Sequence, residues 1–465
     1  MKVKVIVLIL ATVVLCVSIF LVMLIWCSPK ITISDTSALI DQPIEIIISN
    51  FSAHEHIRLE ASCKDKNNNT WVSHAVFESD KDGIVNLARQ APLSGSYSGI
   101  EPMGLFWSMI PVDKKVSRFF LGHRAELVVI LSVSAKNRPT VHKKIYRVLR
   151  SANIERKEIR EHGVVGTFFY PKDMRKGPGV IVLYGSGGGI PETKVELLAS
   201  HGYATLALGY FGVQGLPEKL ERIPLEYFTN AIMWFKLQSQ VDAQSVALVG
   251  TSRGGELVLI LASQFPREVA AVVANVPSSI VYSAFSGPTV PAWTYHGGAL
   301  PFMSTPTQQK AIKLAQEGKI AMHKGTKEDP FISAPAFVYD VVQYPKKVKA
   351  ASIAVERIRC PLLILSGDAD AMWPSTMYGD RIMERLQQKK STIKRTHLHF
   401  ADAGHAFEFP YIPSMSQLSY HTVGNFWLTL GGTAAGNAHA SEQAWYATLA
   451  FLADTLQSSA DGKDN

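Results

Sequence analysis

Three groups of residues, far apart in the chain, have the chemistry of an acyl-transfer centre once brought together: Ser252, His405 and one of two aspartates, Asp368 or Asp370. A serine hydroxyl is a weak nucleophile until an imidazole takes its proton, and the imidazole in turn needs a carboxylate to fix its tautomer and orientation. Ser252 lies in Gly250-Thr251-Ser252-Arg253-Gly254, entered by the apolar run Val246 to Val249 and left by an apolar run of helical length. A G-x-S-x-G sequence between strand and helix places its serine on a sharp, exposed turn. Gly250 and Gly254 suit that turn because a Cβ at either flank would collide with neighbouring backbone. Asp368 and Asp370 follow the strand-like Leu362 to Leu365, and His405 follows the strand-like His397 to Phe400 in Ala403-Gly404-His405. Either aspartate fits the carboxylate role; the other then caps the turn through its own side chain.

The tetrahedral intermediate of acyl transfer also needs hydrogen-bond donors, one of which is worth roughly 3 kcal/mol. The amide of Arg253, next after the nucleophile, is the first expected donor. The second is expected from Tyr184-Gly185-Ser186-Gly187-Gly188-Gly189, after Val180 to Leu183, with Gly187 and Gly188 as the donors. This loop lacks the G-K-[ST] ending and the G-x-G-x-x-G frame of phosphate cradles. Ser, then Asp, then His is the chain order of α/β-hydrolases.

The elements that must position these groups are legible as alternation. Val164 to Tyr170, Val180 to Tyr184, Ala204 to Leu208, Val246 to Val249, Ala270 to Ala274, Leu362 to Leu365 and His397 to Phe400 read as strands. Val195 to His201, Leu225 to Gln238 and Ser441 to Leu456 read as helices. Buried strands alternating with helices predict a doubly wound, mostly parallel sheet over residues 160–458, its catalytic loops at the carboxyl ends of the strands. Residues 277–357, rich in Pro, Gly, Lys and aromatics, read as a lid-like insertion over the active edge. Ahead of this domain, residues 31–148 show short alternating stretches such as Ile57 to Cys63 and Trp71 to Phe77, separated by turn residues. That pattern predicts an all-β, immunoglobulin-like sandwich of about seven strands. The charged stretch 149–163 reads as the crossover between the two.

Residues 1–28 form a membrane anchor or signal segment. The apolar run Val5 to Trp26 is long enough to span a bilayer as one helix, and Leu24-Ile25-Trp26 offers no small-residue cleavage site. A retained transmembrane helix is therefore expected, and Lys2 and Lys4 on its cytoplasmic side would put the catalytic body on the far side; secretion after cleavage is the alternative. The net charge of +8 over 465 residues falls in short groups such as Lys346, Lys347 and Lys349, which read as solvated surface and not as a nucleic-acid site. The four cysteines, at positions 16, 27, 63 and 360, have no metal-ligand spacing, and neither a metal nor an organic cofactor is called for. Nothing in the pattern indicates an oligomeric state.

Several stretches together carry a resemblance: SGSYSGIEPMGLFWSM, GVVGTFFYP, GVIVLYGSGGGIPE, VGTSRGGELVLILAS, VERIRCPLLILSGDADAMWPS, AGHAFEFPYIP and GGTAAGNAHASEQAWYATLAFL. In them the chain resembles the acyl-CoA thioesterase and bile acid-CoA:amino acid N-acyltransferase family over most of residues 31–456. The resemblance implies a β-sandwich followed by an α/β-hydrolase domain whose triad attacks an acyl thioester. The family's GxDDxxW-like loop puts the triad carboxylate three residues before the tryptophan, which implies Asp370. In that family a cysteine nucleophile is associated with transfer to amino acids and a serine with hydrolysis, so the resemblance implies for Ser252 a thioesterase acting on acyl-CoA or another acyl ester. An exported carboxylesterase or an N-acyltransferase is the alternative enzyme, and a binding protein on an inactive hydrolase fold is the alternative of another class.

Overall fold

The computed structural model describes residues 28–414, 418–421 and 426–456. The expected anchor lies outside the described residues; among those described, no helix is long and apolar enough to cross a membrane. The chain divides into two compact units: the part up to Val116 with Glu126–Val148, and Ser117–Ala125 with everything from Leu149.

The named strands of the first unit pair antiparallel, with one short helix at Gly104–Trp107. A sheet of three strands orders Lys30–Ile33, Ile46–Ser49 and Val85–Asn86, and a sheet of six is centred on His56–Lys64, flanked by Thr70–Glu78 and Glu126–Ala135. Alternate residues of the long strands are buried, among them Ile57, Leu59 and Ala61 on one and Trp71, Ala75 and Phe77 on the next, as a sheet with one wet face requires. The glycine-rich stretch before Leu105 packs inside this unit: a Cβ on Gly104 would lie 2.5 Å from the Tyr97 ring, and the Ser73 hydroxyl donates to the Leu105 carbonyl.

The second unit is built on eight strands, β1 (Ile154–Glu161), β2 (Val164–Pro171), β3 (Gly177–Leu183), β4 (Ala204–Leu208), β5 (Val241–Thr251), β6 (Ala271–Asn275), β7 (Leu362–Gly367) and β8 (Arg395–Phe400), in the order β1-β2-β4-β3-β5-β6-β7-β8. From β4 to β8 neighbouring strands are parallel; β1 and β2 are antiparallel to their neighbours. Among the described residues eight α-helices complete the unit: α1 (Glu192–Ser200), α2 (Leu225–Lys236), α3 (Arg253–Gln264), α4 (Gln308–Gln316), α5 (Ala334–Gln343), α6 (Pro345–Ala351), α7 (Ser375–Gln388) and α8 (Ala434–Leu456). Central strands such as β4 and β6 are buried along their whole length, which is why they read as unbroken apolar runs.

Three expectations need correction. The sheet starts at Ile154, before the boundary at residue 160, because the charged crossover is itself the edge strand β1, paired with β2 from Ile154 opposite Pro171 to Glu161 opposite Val164. Only Ile154 and Ile159 of β1 are buried; charges on an edge strand block pairing with another chain and also hide its period. The last helix begins at Ala434, not Ser441, since its first turns are small residues packed against a loop and so carry no amphipathic stripe. A hairpin of Leu418–His421 and Phe426–Thr429 lies where no element was expected.

One buried acid in this unit sets a stability slope. Glu196 on α1 is 3% exposed, its Oε2 stands 3.6 Å from Arg150, and its Oε1 has no hydrogen-bond partner among the described residues. Burial pushes this carboxyl up to about 8, against the opposing pull of Arg150. Between the unfolded value of 4.5 and about 8 the folded chain holds a proton that the unfolded chain releases. The group's contribution to stability is therefore complete below the lower value and lost as pH rises to the upper, at about 1.4 kcal/mol per unit. Glu196→Gln should flatten that decline, read by urea unfolding at intervals from acid to mildly alkaline pH; an unchanged slope would place its origin elsewhere.

Candidate active site

Strand β5 ends at Thr251 and α3 begins at Arg253, leaving Ser252 alone to reverse the chain at φ 59°, ψ −119°. A serine at positive φ is strained. The strain is held by the Ser252 amide donating to the Asn275 carbonyl at 2.9 Å and by contacts that allow no side chain. A Cβ on Gly250 would lie 2.1 Å from the Gly254 carbonyl oxygen, and one on Gly254 would lie 2.3 Å from that of Leu183.

The three groups converge. His405 Nε2 is 2.8 Å from Ser252 Oγ, and His405 Nδ1 is 2.8 Å from Asp370 Oδ2. The side chain of Asp370 is 1% exposed, and its other oxygen accepts the amides of Met372 at 2.9 Å and Trp373 at 3.2 Å. Trp373 backs the imidazole edge to face, with centroids 5.6 Å apart. Asp368 faces away: its carboxylate accepts from the Thr376 hydroxyl at 2.8 Å and meets His399 Nδ1 at 3.0 Å. The two aspartates, alike in sequence, thus have separate partners.

Arg253 serves the turn through its side chain as well as its amide. The guanidinium is buried, donating from Nη1 to Glu256 Oε2 at 2.8 Å and from Nη2 to the Tyr282 carbonyl at 2.9 Å. Trp293 Nε1 donates to the other Glu256 oxygen at 2.8 Å. Burial pushes the Glu256 carboxyl up to about 7 despite the arginine beside it. This pair pins the first turn of α3 to the insertion.

Of the expected donors Gly187 and Gly188, the second already has a partner within the loop. The Gly188 amide closes a turn onto the Gly185 carbonyl at 3.2 Å, and the nearest group to a Cβ on Gly187 would be the Tyr184 ring at 3.8 Å. The part of the loop beside the nucleophile is Gly185, where a Cβ would stand 3.0 Å from Ser252 Cβ, followed by Ser186 in the cavity wall. Five small residues in a row give no sequence signal for which of their amides that turn takes up.

Ser252, Arg253 and His405 open on a cavity of about 440 Å³. Its walls are mostly insertion residues, with Phe285, Phe331 and Phe337 in its apolar lining and Thr305, Gln308 and Gln309 in its polar lining. Phe426 and Leu428 of the unforeseen hairpin add to it, and the Phe331 amide donates to the Trp427 carbonyl at 2.8 Å.

A mostly parallel eight-stranded sheet with a serine on the β5–α3 turn, and an aspartate and histidine on later strand ends, defines an α/β-hydrolase. Residues 223–458 match a family model described as BAAT / acyl-CoA thioester hydrolase C terminal, and residues 41–161 match the acyl-CoA thioester hydrolase/BAAT N-terminal region. Acyl-coenzyme A thioesterase 1 of Mus musculus is 31% identical over 424 residues, covering 90% of this chain and 94% of the relative. Acyl-coenzyme A thioesterase 2, mitochondrial, of the same species is 30% identical over 423 residues, 90% and 87% of the two chains. Acyl-coenzyme A amino acid N-acyltransferase 1 of Mus musculus is 27% identical over 425 residues, 90% and 95%. The chain belongs to the acyl-CoA thioester hydrolase/BAAT family of enzymes.

Proposed function

We propose that this protein hydrolyses acyl thioesters of the acyl-CoA type through an acyl-enzyme on Ser252. The observation that carries the reading is the continuous Asp370–His405–Ser252 hydrogen-bond line on a strained elbow. Ser252 Oγ attacks the thioester carbonyl as His405 Nε2 takes its proton, and Asp370 stabilises the imidazolium that forms. The oxyanion is received by the Arg253 amide and by an amide of the Gly185–Ser186 stretch. Collapse of the intermediate expels the thiolate, which takes the proton from His405, and a water activated by the same imidazole then releases the acid. The aromatic wall of the cavity suits an acyl chain.

The N-terminal run supports a second reading of the substrate. A retained helix over Val5 to Trp26, with Lys2 and Lys4 left in the cytoplasm, would hold the catalytic unit on the non-cytoplasmic side, where an exported carboxylesterase acting on another acyl ester fits better than a CoA thioesterase. One panel separates these readings: acyl-CoAs and p-nitrophenyl esters of graded chain length, each with and without glycine as acceptor. Free thiol and free acid from the acyl-CoAs, unaffected by glycine, is the expected result. Ester turnover without thioester turnover selects the esterase, N-acylglycine selects transfer, and inertness toward every substrate sinks hydrolysis. The mass of the mature N-terminus, with cell fractionation, tests the anchor: a released chain that begins near residue 28 overturns it.

A further inference from the structure

The stretch Gly431-Gly432-Thr433-Ala434-Ala435-Gly436-Asn437 does none of the chemistry above, yet it runs between the two loops that do. The Leu430 carbonyl accepts the His405 amide at 2.7 Å and the Ala371 amide at 3.3 Å. Gly431 forms an isolated antiparallel bridge with Asp370, and Gly432 forms one with Ala403. Three backbones meet here with no room for side chains. A Cβ on Gly431 would lie 1.9 Å from the Ala369 carbonyl oxygen, one on Gly404 would lie 2.2 Å from that of Gly431, and one on Gly432 would lie 2.4 Å from the Gly404 amide.

Asn437, in the first turns of α8 and fully buried, ties this crossing together. Its Oδ1 accepts the Gly404 amide at 2.8 Å, next to His405, and its Nδ2 donates to the Gly431 carbonyl at 3.4 Å, next to the Asp370 bridge. An amide side chain offers one acceptor and one donor side by side, which is what a buried N–H and a buried carbonyl together require. The helix end that carries Asn437 is itself fixed: Thr433 Oγ1 accepts the Gly436 amide at 2.9 Å, and the Thr433 amide donates to the Asp402 carbonyl at 2.9 Å. A Cβ on Gly436 would fall 2.2 Å from that same Asp402 oxygen.

We propose that Asn437 is a positioning residue of the triad, acting through Gly404 and Gly431 to set the Asp370 and His405 loops relative to each other. The inference rests on the Ser252–His405–Asp370 reading. Without the side-chain amide, the Gly404 N–H is left buried and unpaired, and the loop must move to find a partner. A shift of about 1 Å at the imidazole is enough to lower turnover by on the order of 100-fold.

The test is Asn437→Ala in the full chain, with steady-state kinetics on whichever ester or thioester the wild type turns over. The control is Thr448→Val on the same helix, a buried hydroxyl that donates to the Ala444 carbonyl within α8 at 2.7 Å. The expected result is a kcat lower by about 10- to 100-fold with KM within about twofold. Thr448→Val should lower the melting temperature and leave both readouts in place. A kcat within twofold of wild type, a loss confined to KM, or an equal kcat loss in the control would each overturn the proposal. Should the alanine chain fail to fold, Asn437→Ser, which retains a hydroxyl, carries the same measurements. Ser252→Ala is run alongside; undiminished turnover there rejects the triad itself, whatever Asn437 does.

Discussion

Ser252→Ala and His405→Ala should each lower kcat by on the order of 10⁴-fold or more while leaving the fold in place. On the proposed mechanism the serine change removes the attacking oxygen, and the histidine change removes the group 2.8 Å from it that would take the proton. Neither change touches the contacts that shape the elbow, which are made by Gly250, Gly254 and the Ser252 amide. A p-nitrophenyl acyl ester followed at saturating substrate, with circular dichroism on the same samples, provides the check. A variant that keeps its rate would remove that residue from the mechanism. The two losses should not add in the double variant, because the pair acts as one unit.

Asp370→Asn should lower kcat by about 10³- to 10⁴-fold, whereas Asp368→Asn should change it by less than about threefold. The contrast follows from the partners. One oxygen of Asp370 is committed to the Met372 and Trp373 amides, so in the asparagine variant that site must keep the carbonyl oxygen and the NH₂ must face His405 Nδ1. The imidazole then accepts at Nδ1 and carries its proton on Nε2, where it can no longer receive one from Ser252. Asp368 meets a half-exposed histidine and a threonine at the rim, and an ion pair in that setting contributes little. Equal losses in the two variants, or the reverse ranking, would reassign the carboxylate.

How far the sequence could be read depended on whether each feature is local. The elbow was legible because the glycines at 250 and 254, the apolar strand and the apolar helix are contiguous, and each reports the same close approach. Strands β3 to β7 were legible because burial on both faces leaves unbroken apolar runs. Strand β1 was not, because its side chains are mostly solvated and charged. The choice between Asp368 and Asp370 rested on family resemblance alone, since two carboxylates two residues apart differ only in which neighbouring loop they meet. The loop after β3 shows a related limit: the bond from the Gly188 amide to the Gly185 carbonyl is set by backbone angles that repeated small residues do not encode. The start of α8 was hidden for the same reason that it matters, its residues being small so that three backbones can touch.

The division of the chain into units has a consequence for taking the protein apart. The peptide enters the hydrolase unit at Ser117, returns to the β unit at Glu126 and crosses again at Leu149, so three covalent links join the units where a simple tandem arrangement has one. The detour is part of the hydrolase unit's own structure: the Leu149 and Arg150 amides both donate to the Ala125 carbonyl, and His123 lies 3.2 Å from Glu192 on α1. A catalytic fragment excised at Leu149 would lack those partners, and a single proteolytic nick at any one crossing would leave two links intact. The boundary drawn along the sequence is therefore not the boundary along which this molecule can be cut.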